Sequence, residues 1–300
     1  MNIRELALII FTVLAQMTAG MLLVQLVVRA SAVKKLGAEK AAQLMTIPVY
    51  SMLPVMVLAM LASLLHLGKV TNVIGAVPNL GTSWMSREVV LAVVFTVALA
   101  LYTFLTWRKS AESQLVLVGW VTALIGICMV FSMGMTYLIP AQPSMNTLAT
   151  PVTFFVTACL LGVLGFAAAM MVSYGAMNKD AAAKELVGST LQGISLSALV
   201  LLGVEFLVMP LYMTYLSTQG VAALKSLSMM AGEYGTVMVL RLVLVFVGAG
   251  VMAAYLYRNA SLSSAEKSLA SYVYGAFVLV LVSELLGRFI FYATQYRIGV

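Results

Sequence analysis

The residues that could do chemistry in this chain are the few ionisable ones within or beside apolar stretches. His66 is the only histidine in 300 residues, and it closes an apolar run that begins at Pro54. A single imidazole cannot hold a haem between two histidines or build a histidine-rich metal site. It can hydrogen-bond a small ligand and carry a proton, because its pKa lies near neutrality. Quinones and quinols require that chemistry, so we expect His66 to contribute to a quinol site.

Glu88 stands at the beginning of the third apolar stretch and is the second candidate. Its simplest role is at a helix N-terminus, where the free amides stabilise a carboxylate, and Ser83 or Ser86 could cap the same helix. However, the loop before Glu88 returns the chain to the membrane face that carries His66. The acid and the imidazole could then hydrogen-bond the two ends of a hydroquinone, or accept and relay its protons.

Four further ionisable residues lie inside later apolar stretches: Glu205, Arg241, Glu284 and Arg288. Charges at membrane depth are costly, so such residues usually face the interior of the helix bundle and indicate function. Glu284 and Arg288 are four residues apart and can pair on one helix face, which would be a structural role. Alternatively, they could line a quinol pocket or a proton path. Glu205 and Arg241 lie on successive helices and could meet.

The composition predicts a membrane protein with no separate soluble domain. The chain is 63% hydrophobic and only 9% charged, whereas a soluble domain carries about 25% charged residues. A membrane-spanning helix needs roughly 20 apolar residues, and lipid cannot satisfy free backbone groups. We therefore expect an all-α polytopic protein, with residues 1–300 forming a single membrane domain. Eight stretches qualify as spans: about 4–28, 44–67, 88–107, 115–138, 151–176, 187–213, 235–257 and 268–295.

The lysines and arginines of the loops predict the orientation. The two termini and the loops that follow the second, fourth and sixth spans hold five of them. The loops that follow the first, third, fifth and seventh spans hold ten. The positive-inside rule places the richer set in the cytoplasm, so both termini and His66 should lie outside. The first stretch is longer than the apolar core of a signal peptide and lacks a small-residue cleavage site, so we expect a retained helix. Cys128 and Cys159 do not form a C-x-x-C pair, so we expect no iron–sulfur ligand set.

Several segments resemble the dimethyl sulfoxide reductase anchor subunit family. Residues 66–68 and 79–88 are similar to its H-L-G … L-G-x-S-x-x-S-x-E signature. Residues 284–292 resemble its E-L-I-G-R-x-x-F-Y ending, and Tyr234-Gly235 followed by Arg241 resembles its seventh helix. The length of the sequence, its eight spans and its outward termini also agree with this family, so the resemblance extends over the whole sequence. One departure is residues 72–75, Asn-Val-Ile-Gly, where many relatives carry R-A-F-N.

The resemblance implies a function in anaerobic respiration at the bacterial cytoplasmic membrane. Such an anchor binds and oxidises menaquinol and passes electrons to a subunit with [4Fe–4S] clusters, then to a molybdopterin catalytic subunit. It has no cofactor of its own. His66 matches the family histidine implicated in menaquinol binding, and Glu88 matches the acid paired with it. Arg241, Glu284 and Arg288 match family positions. Related polysulfide-reductase-type anchors have two four-helix bundles, with quinone in the first near the outer face.

Three alternatives remain open from the sequence. The anchor of a sister reductase for tetrathionate or selenate would look very similar, because the terminal acceptor is chosen by another subunit. A secondary transporter would be expected to show repeats and broken helices at the middle of the membrane, whereas the unusual residues here cluster at one rim. A purely structural anchor would not need His66 and Glu88 for quinol oxidation.

Overall fold

The computed structural model describes residues 3–67, 75–177, 180–259 and 266–298. Within these ranges the protein is helical and has no β-strand. The helical elements include a 3₁₀ turn at Val77–Asn79 and a π-helical stretch at Phe246–Met252. The helices are α1 (Ile3–Leu36), α2 (Ala38–Leu44), α3 (Thr46–Leu67), α4 (Trp84–Trp107), α5 (Glu112–Thr136), α6 (Ala149–Gly175), α7 (Ala181–Thr218), α8 (Val221–Ala231), α9 (Gly235–Val245), α10 (Ala253–Asn259) and α11 (Glu266–Ala293).

In the part of the chain that the structure describes, eight helical segments are long and apolar enough to cross a membrane, as the sequence predicts. They are α1, α3, α4, α5, α6, α7, the continuous segment α9–α10, and α11. The largest difference at a single helix end is at α1, which continues to Leu36 although its apolar stretch was expected to end near residue 28. The reason is that Arg29 is buried and forms a bidentate ion pair with Glu112, so its charge does not end the helix.

The eight segments form two four-helix bundles, which confirms the predicted architecture. In the first bundle, α1, α3, α4 and α5 pack in a ring, each against the next, with α5 returning to α1. The second bundle repeats this arrangement with α6, α7, α9–α10 and α11. The two bundles meet chiefly where α1 packs against α6, and these are the most deeply buried of the eight segments.

Two glycines allow α1 and α6 to cross closely. A Cβ atom on Gly162 would lie 2.6 Å from the Gly20 Cα. Membrane helices commonly use small residues in this way, because close backbone approach maximises van der Waals packing. The junction between the bundles therefore depends on the absence of side chains at these two positions.

The two ends of the molecule are held together by different kinds of contact. At the end near both termini, here called the terminal end, the Gln142 side chain donates to Gln295 (3.0 Å) and the Ile298 amide donates to the Ala141 carbonyl (3.0 Å). At the other end, here called the opposite end, ion pairs predominate, namely Arg29–Glu112, Lys35–Glu185 and Lys40–Asp180.

Candidate functional site

His66 lies in the last turn of α3, but its side chain and residues 68–74 fall outside the described part of the protein. The backbone of α3 packs against α4, which begins at Trp84. Both helices therefore bring the His66 backbone and Glu88 toward the terminal end. That the imidazole faces Glu88 stays a prediction.

The N-terminus of α4 is capped by Ser83 rather than by Glu88. The Ser83 hydroxyl accepts a hydrogen bond from the Ser86 amide at 3.3 Å, which is the ordinary geometry of a helix cap. Glu88 is 6% exposed and lies one turn further into the helix. Its carboxyl group is therefore not the cap, and the helix N-terminus alone does not explain why an acid is buried here.

Arg87 holds the loop before α4 in place. Its guanidinium donates to the carbonyl oxygens of Leu80 and Gly81, each at 2.8 Å. It also lies 4.2 Å from the centre of the Trp84 ring, a cation–π distance. These contacts explain the dense polar signature of residues 79–88: Arg87 fixes the loop and turns outward, whereas its neighbour Glu88 turns inward.

Glu88 belongs to a buried polar cluster that includes residues from the second bundle. Thr136, whose hydroxyl donates to the Ser132 carbonyl (2.9 Å), lies close to its carboxyl group, and Arg288 on α11 interacts with that group electrostatically. The hydroxyls of Tyr137 and Tyr292 are 2.7 Å apart, and both lie within electrostatic range of Glu88. The two phenols therefore form a hydrogen-bonded pair beside the carboxyl group of Glu88.

Arg288 joins the two bundles. Its guanidinium donates to the Gln16 side-chain oxygen on α1 at 2.9 Å and lies 3.6 Å from the centre of the Phe154 ring on α6. The sequence suggested that Glu284 and Arg288 could pair, but Glu284 takes other partners. The Thr157 hydroxyl donates to Glu284 at 2.6 Å, and Arg241 lies 3.9 Å from its second oxygen. The Arg288 side chain extends away toward α1, where the amide and the ring stabilise it.

Glu205, Arg241 and Glu284 form a second cluster within the second bundle. The predicted meeting of Glu205 and Arg241 is confirmed, since the Arg241 guanidinium donates to the Glu205 carboxylate. Gly287 makes room for this arrangement, because a Cβ atom there would lie 2.9 Å from Arg241 Cζ. The Ser283 hydroxyl also donates to the Arg241 carbonyl (2.9 Å), which ties α9 to α11.

This second cluster lines a cavity between α6, α7, α9 and α11. About 90 Å³ of the cavity can be reached by the centre of a water molecule. A single water needs roughly 10–15 Å³ on that measure, so the space admits a larger group. Its lining includes hydroxyl, charged and apolar side chains, namely Thr150, Thr153, Thr157, Glu205, Val208, Met209, Tyr212, Met230, Met238, Arg241, Glu284, Arg288, Ile290 and Phe291.

Sequence reasoning missed the neutral polar members of both clusters. It considered only ionisable side chains within the apolar stretches and passed over Gln16, which is fully buried in α1. A buried glutamine in a membrane helix is itself a signal, because its amide needs partners. Thr136, Thr157 and Tyr137 carried a weaker signal, since hydroxyls often bond to their own helix.

The fold and the clusters define an integral membrane protein of two helix bundles with two clusters of buried acids and arginines. The protein belongs to the DMSO reductase anchor subunit (DmsC) family, whose sequence pattern matches residues 1–294. It is 28% identical over 303 residues to the C subunit of the anaerobic dimethyl sulfoxide reductase of Escherichia coli, a match that covers 99% of this sequence and 96% of that one. The corresponding Haemophilus influenzae subunit is 25% identical over 300 residues, with 99% and 97% covered. The protein is thus a multi-pass membrane anchor subunit of the dimethyl sulfoxide reductase type.

Proposed function

We propose that this anchor binds and oxidises menaquinol at the terminal end, with Glu88 and His66 as the groups that bind the quinol. The observation that carries the proposal is the burial of Glu88 among the hydroxyls of Thr136, Tyr137 and Tyr292 and the Arg288 guanidinium. A carboxylate that neither caps its helix nor reaches solvent is well suited to accept a hydrogen bond from a quinol hydroxyl.

The chemistry assigns one task to each group. Hydroquinone becomes quinone by losing two electrons and two protons. Glu88 accepts one proton and His66 the other, acting as general bases. The electrons leave to an iron–sulfur subunit with [4Fe–4S] clusters and pass from there to a molybdopterin subunit. Arg288 keeps the site polar, and the paired hydroxyls of Tyr137 and Tyr292 can each donate or accept a hydrogen bond.

The placement in the membrane follows from the loop charges. Five basic residues belong to the termini and to the loops after the second, fourth and sixth spans, whereas ten belong to the other loops. The positive-inside rule then puts the opposite end in the bacterial cytoplasm and the terminal end in the periplasm. In this orientation the two partner subunits dock at the terminal end, beside the quinol site, so that electrons travel only a short way.

The test compares Glu88→Gln and His66→Ala with the wild-type complex in membranes. Menaquinol-dependent turnover should fall about 100-fold or more, as expected for loss of a general base. The fluorescence of a menaquinol analogue should no longer be quenched when it is titrated with membranes that hold the variant complex. The control is Glu185→Gln, an exposed acid at the opposite end, which should change neither. Normal quinol oxidation by both variants, with the complex assembled, would instead support a purely structural anchor.

A further inference from the structure

The cavity in the second bundle contains polar atoms that the protein itself does not satisfy. Within the described residues, Glu205 Oε2, Arg241 Nε and Glu284 Oε1 are buried and have no hydrogen-bond partner. Glu205 and Glu284 are only 5% and 4% exposed. Buried polar groups are nearly always paired, and leaving one unpaired costs free energy. Two acceptors and one donor therefore remain unpaired on side chains that line a space able to hold a hydrogen-bonding group.

The charges of the lining select a neutral ligand. The cavity is bordered by two carboxyl groups, of Glu205 and Glu284, and by two guanidinium groups, of Arg241 and Arg288. These charges balance, so a phosphate or another anion would gain from the arginines but be repelled by the acids. Each hydroxyl of a neutral hydroquinone ring can donate to a carboxylate and accept from Arg241 Nε, and a carbonyl of the oxidised ring can accept from the same Nε. The apolar part of the lining, including Met209, Met238 and Phe291, fits the faces of such a ring.

Access to the cavity is from the lipid side. A surface groove between α6 and α7 shares Ala149, Val208 and Tyr212 with the cavity wall. The groove is bordered by Leu148 and Leu211, which are 80% and 68% exposed. Pro210, in the last third of α7 beside this entrance, cannot donate a backbone hydrogen bond within the helix. A long apolar tail can therefore lie in the groove while its polar ring occupies the cavity.

We propose that this cavity is a second quinone and quinol site, separate from the one at Glu88, with the ring against the paired side chains of Glu205 and Arg241 and against Glu284, and the isoprenoid tail in the groove between α6 and α7. The proposal rests on menaquinol being the substrate. Arg288 contributes to both sites, since it lines this cavity and also interacts with Glu88. Occupation of one site should therefore alter affinity at the other.

The experiment uses a menaquinone analogue with a photoreactive azide on its ring, in membranes that hold the assembled complex. After illumination, labelled peptides are mapped by mass spectrometry. We expect labels on Met209 and Met238, suppressed by excess menaquinone but not by excess phosphatidylglycerol. Equal suppression by the phospholipid would overturn the quinone assignment and indicate an ordinary lipid site.

Two variants test the entrance and the ring contacts. Val208→Trp should block the entrance and reduce labelling of Met209 and Met238 to background. Leu207→Trp is the matched control, because Leu207 is the adjacent residue and is 66% exposed, so labelling should persist. The variant Glu284→Gln keeps the Glu205–Arg241 pair and the shape of the cavity, and it should also lose the label.

The outcome at Glu88 separates this inference from the proposed function. Glu88→Gln should abolish turnover yet leave labels on Met209 and Met238. Labels confined to α3 and α4 would overturn the second site and leave the first intact. If Val208→Trp abolished turnover while Glu88→Gln did not, the cavity would be the sole quinol site, and both the first site and the idea of a second would be wrong.

Discussion

The two clusters of buried charge differ in how completely their polar atoms are hydrogen-bonded. In the described structure, Glu88, Gln16 and Arg288 leave no fully buried polar atom unpaired, whereas Glu205, Arg241 and Glu284 each leave one. The first cluster is closed by partners from both bundles, including Tyr137 and Tyr292. The second cluster borders a cavity instead. A polar network that satisfies itself is rigid and positions a reacting group, whereas one with spare hydrogen-bonding capacity favours binding of water or a ligand.

The largest effect should come from removing the cation of the second cluster. Arg241→Met leaves Glu205 and Glu284 as neighbouring buried acids without a counter-charge. Breaking a buried ion pair in this way costs about 3–5 kcal/mol, so the thermal midpoint of the detergent-solubilised complex should fall strongly.

A compensated variant is the control for Arg241→Met. Changing Glu205→Gln and Glu284→Gln in the same protein removes the charges that Arg241 balances. Most of the lost stability should then return, because a network without charge is less costly than one with unpaired charge. If the triple variant were as unstable as Arg241→Met, packing rather than charge would explain the role of Arg241.

The next effect concerns the junction between the bundles. Gly162→Ala places a Cβ atom 2.6 Å from the Gly20 Cα, where only backbone can give way. Overpacking of this kind costs about 1–3 kcal/mol, and it should also weaken the Arg288–Gln16 contact across the junction. Gly203→Ala on α7 is the matched control, since a Cβ atom there meets nothing within 4 Å. Equal thermal midpoints for the two variants would contradict the close crossing of α1 and α6.

A subtler variant separates the two sites. Gly287→Ala displaces the Arg241 side chain, but that side chain is flexible and can shift, so the cost should be about 1 kcal/mol, at the low end for overpacking. Binding at the second cavity should weaken, whereas turnover through Glu88 should be retained. Parallel titrations with a fluorescent menaquinol analogue and turnover assays would check this. A matching loss of turnover would show that the two clusters act as one site.

The contrast between the clusters also explains what could be predicted from the sequence. The eight spans follow from hydropathy, because lipid allows few alternatives to apolar helices. The pairing of Glu205 with Arg241 could be anticipated, since buried charges need opposite partners. The link from Glu88 to Arg288 could not, because it depends on how α11 packs against α1. The length of α1 could not be predicted either. Arg29 ends the apolar stretch in the sequence, but its ion pair with Glu112 of α5 neutralises this charge, so α1 continues past it.

The smallest effect should occur at the opposite end, in the exposed pair of Lys40 and Asp180. Lys40, and then the Ala183 amide, donate hydrogen bonds that hold the pKa of Asp180 below its usual range. Because the folded-state pKa is lowered, the stabilisation is present above the pKa of the unfolded state and is lost as the pH falls through the folded-state pKa.

Asp180→Asn keeps the helix cap and removes only the charge. The thermal midpoints of Asp180→Asn and wild type should therefore differ slightly at neutral pH and low salt. They should converge both in acid and at high salt, because exposed ion pairs are weak and screened. A large salt-independent loss would mean that this end, like the two clusters, depends on buried charge.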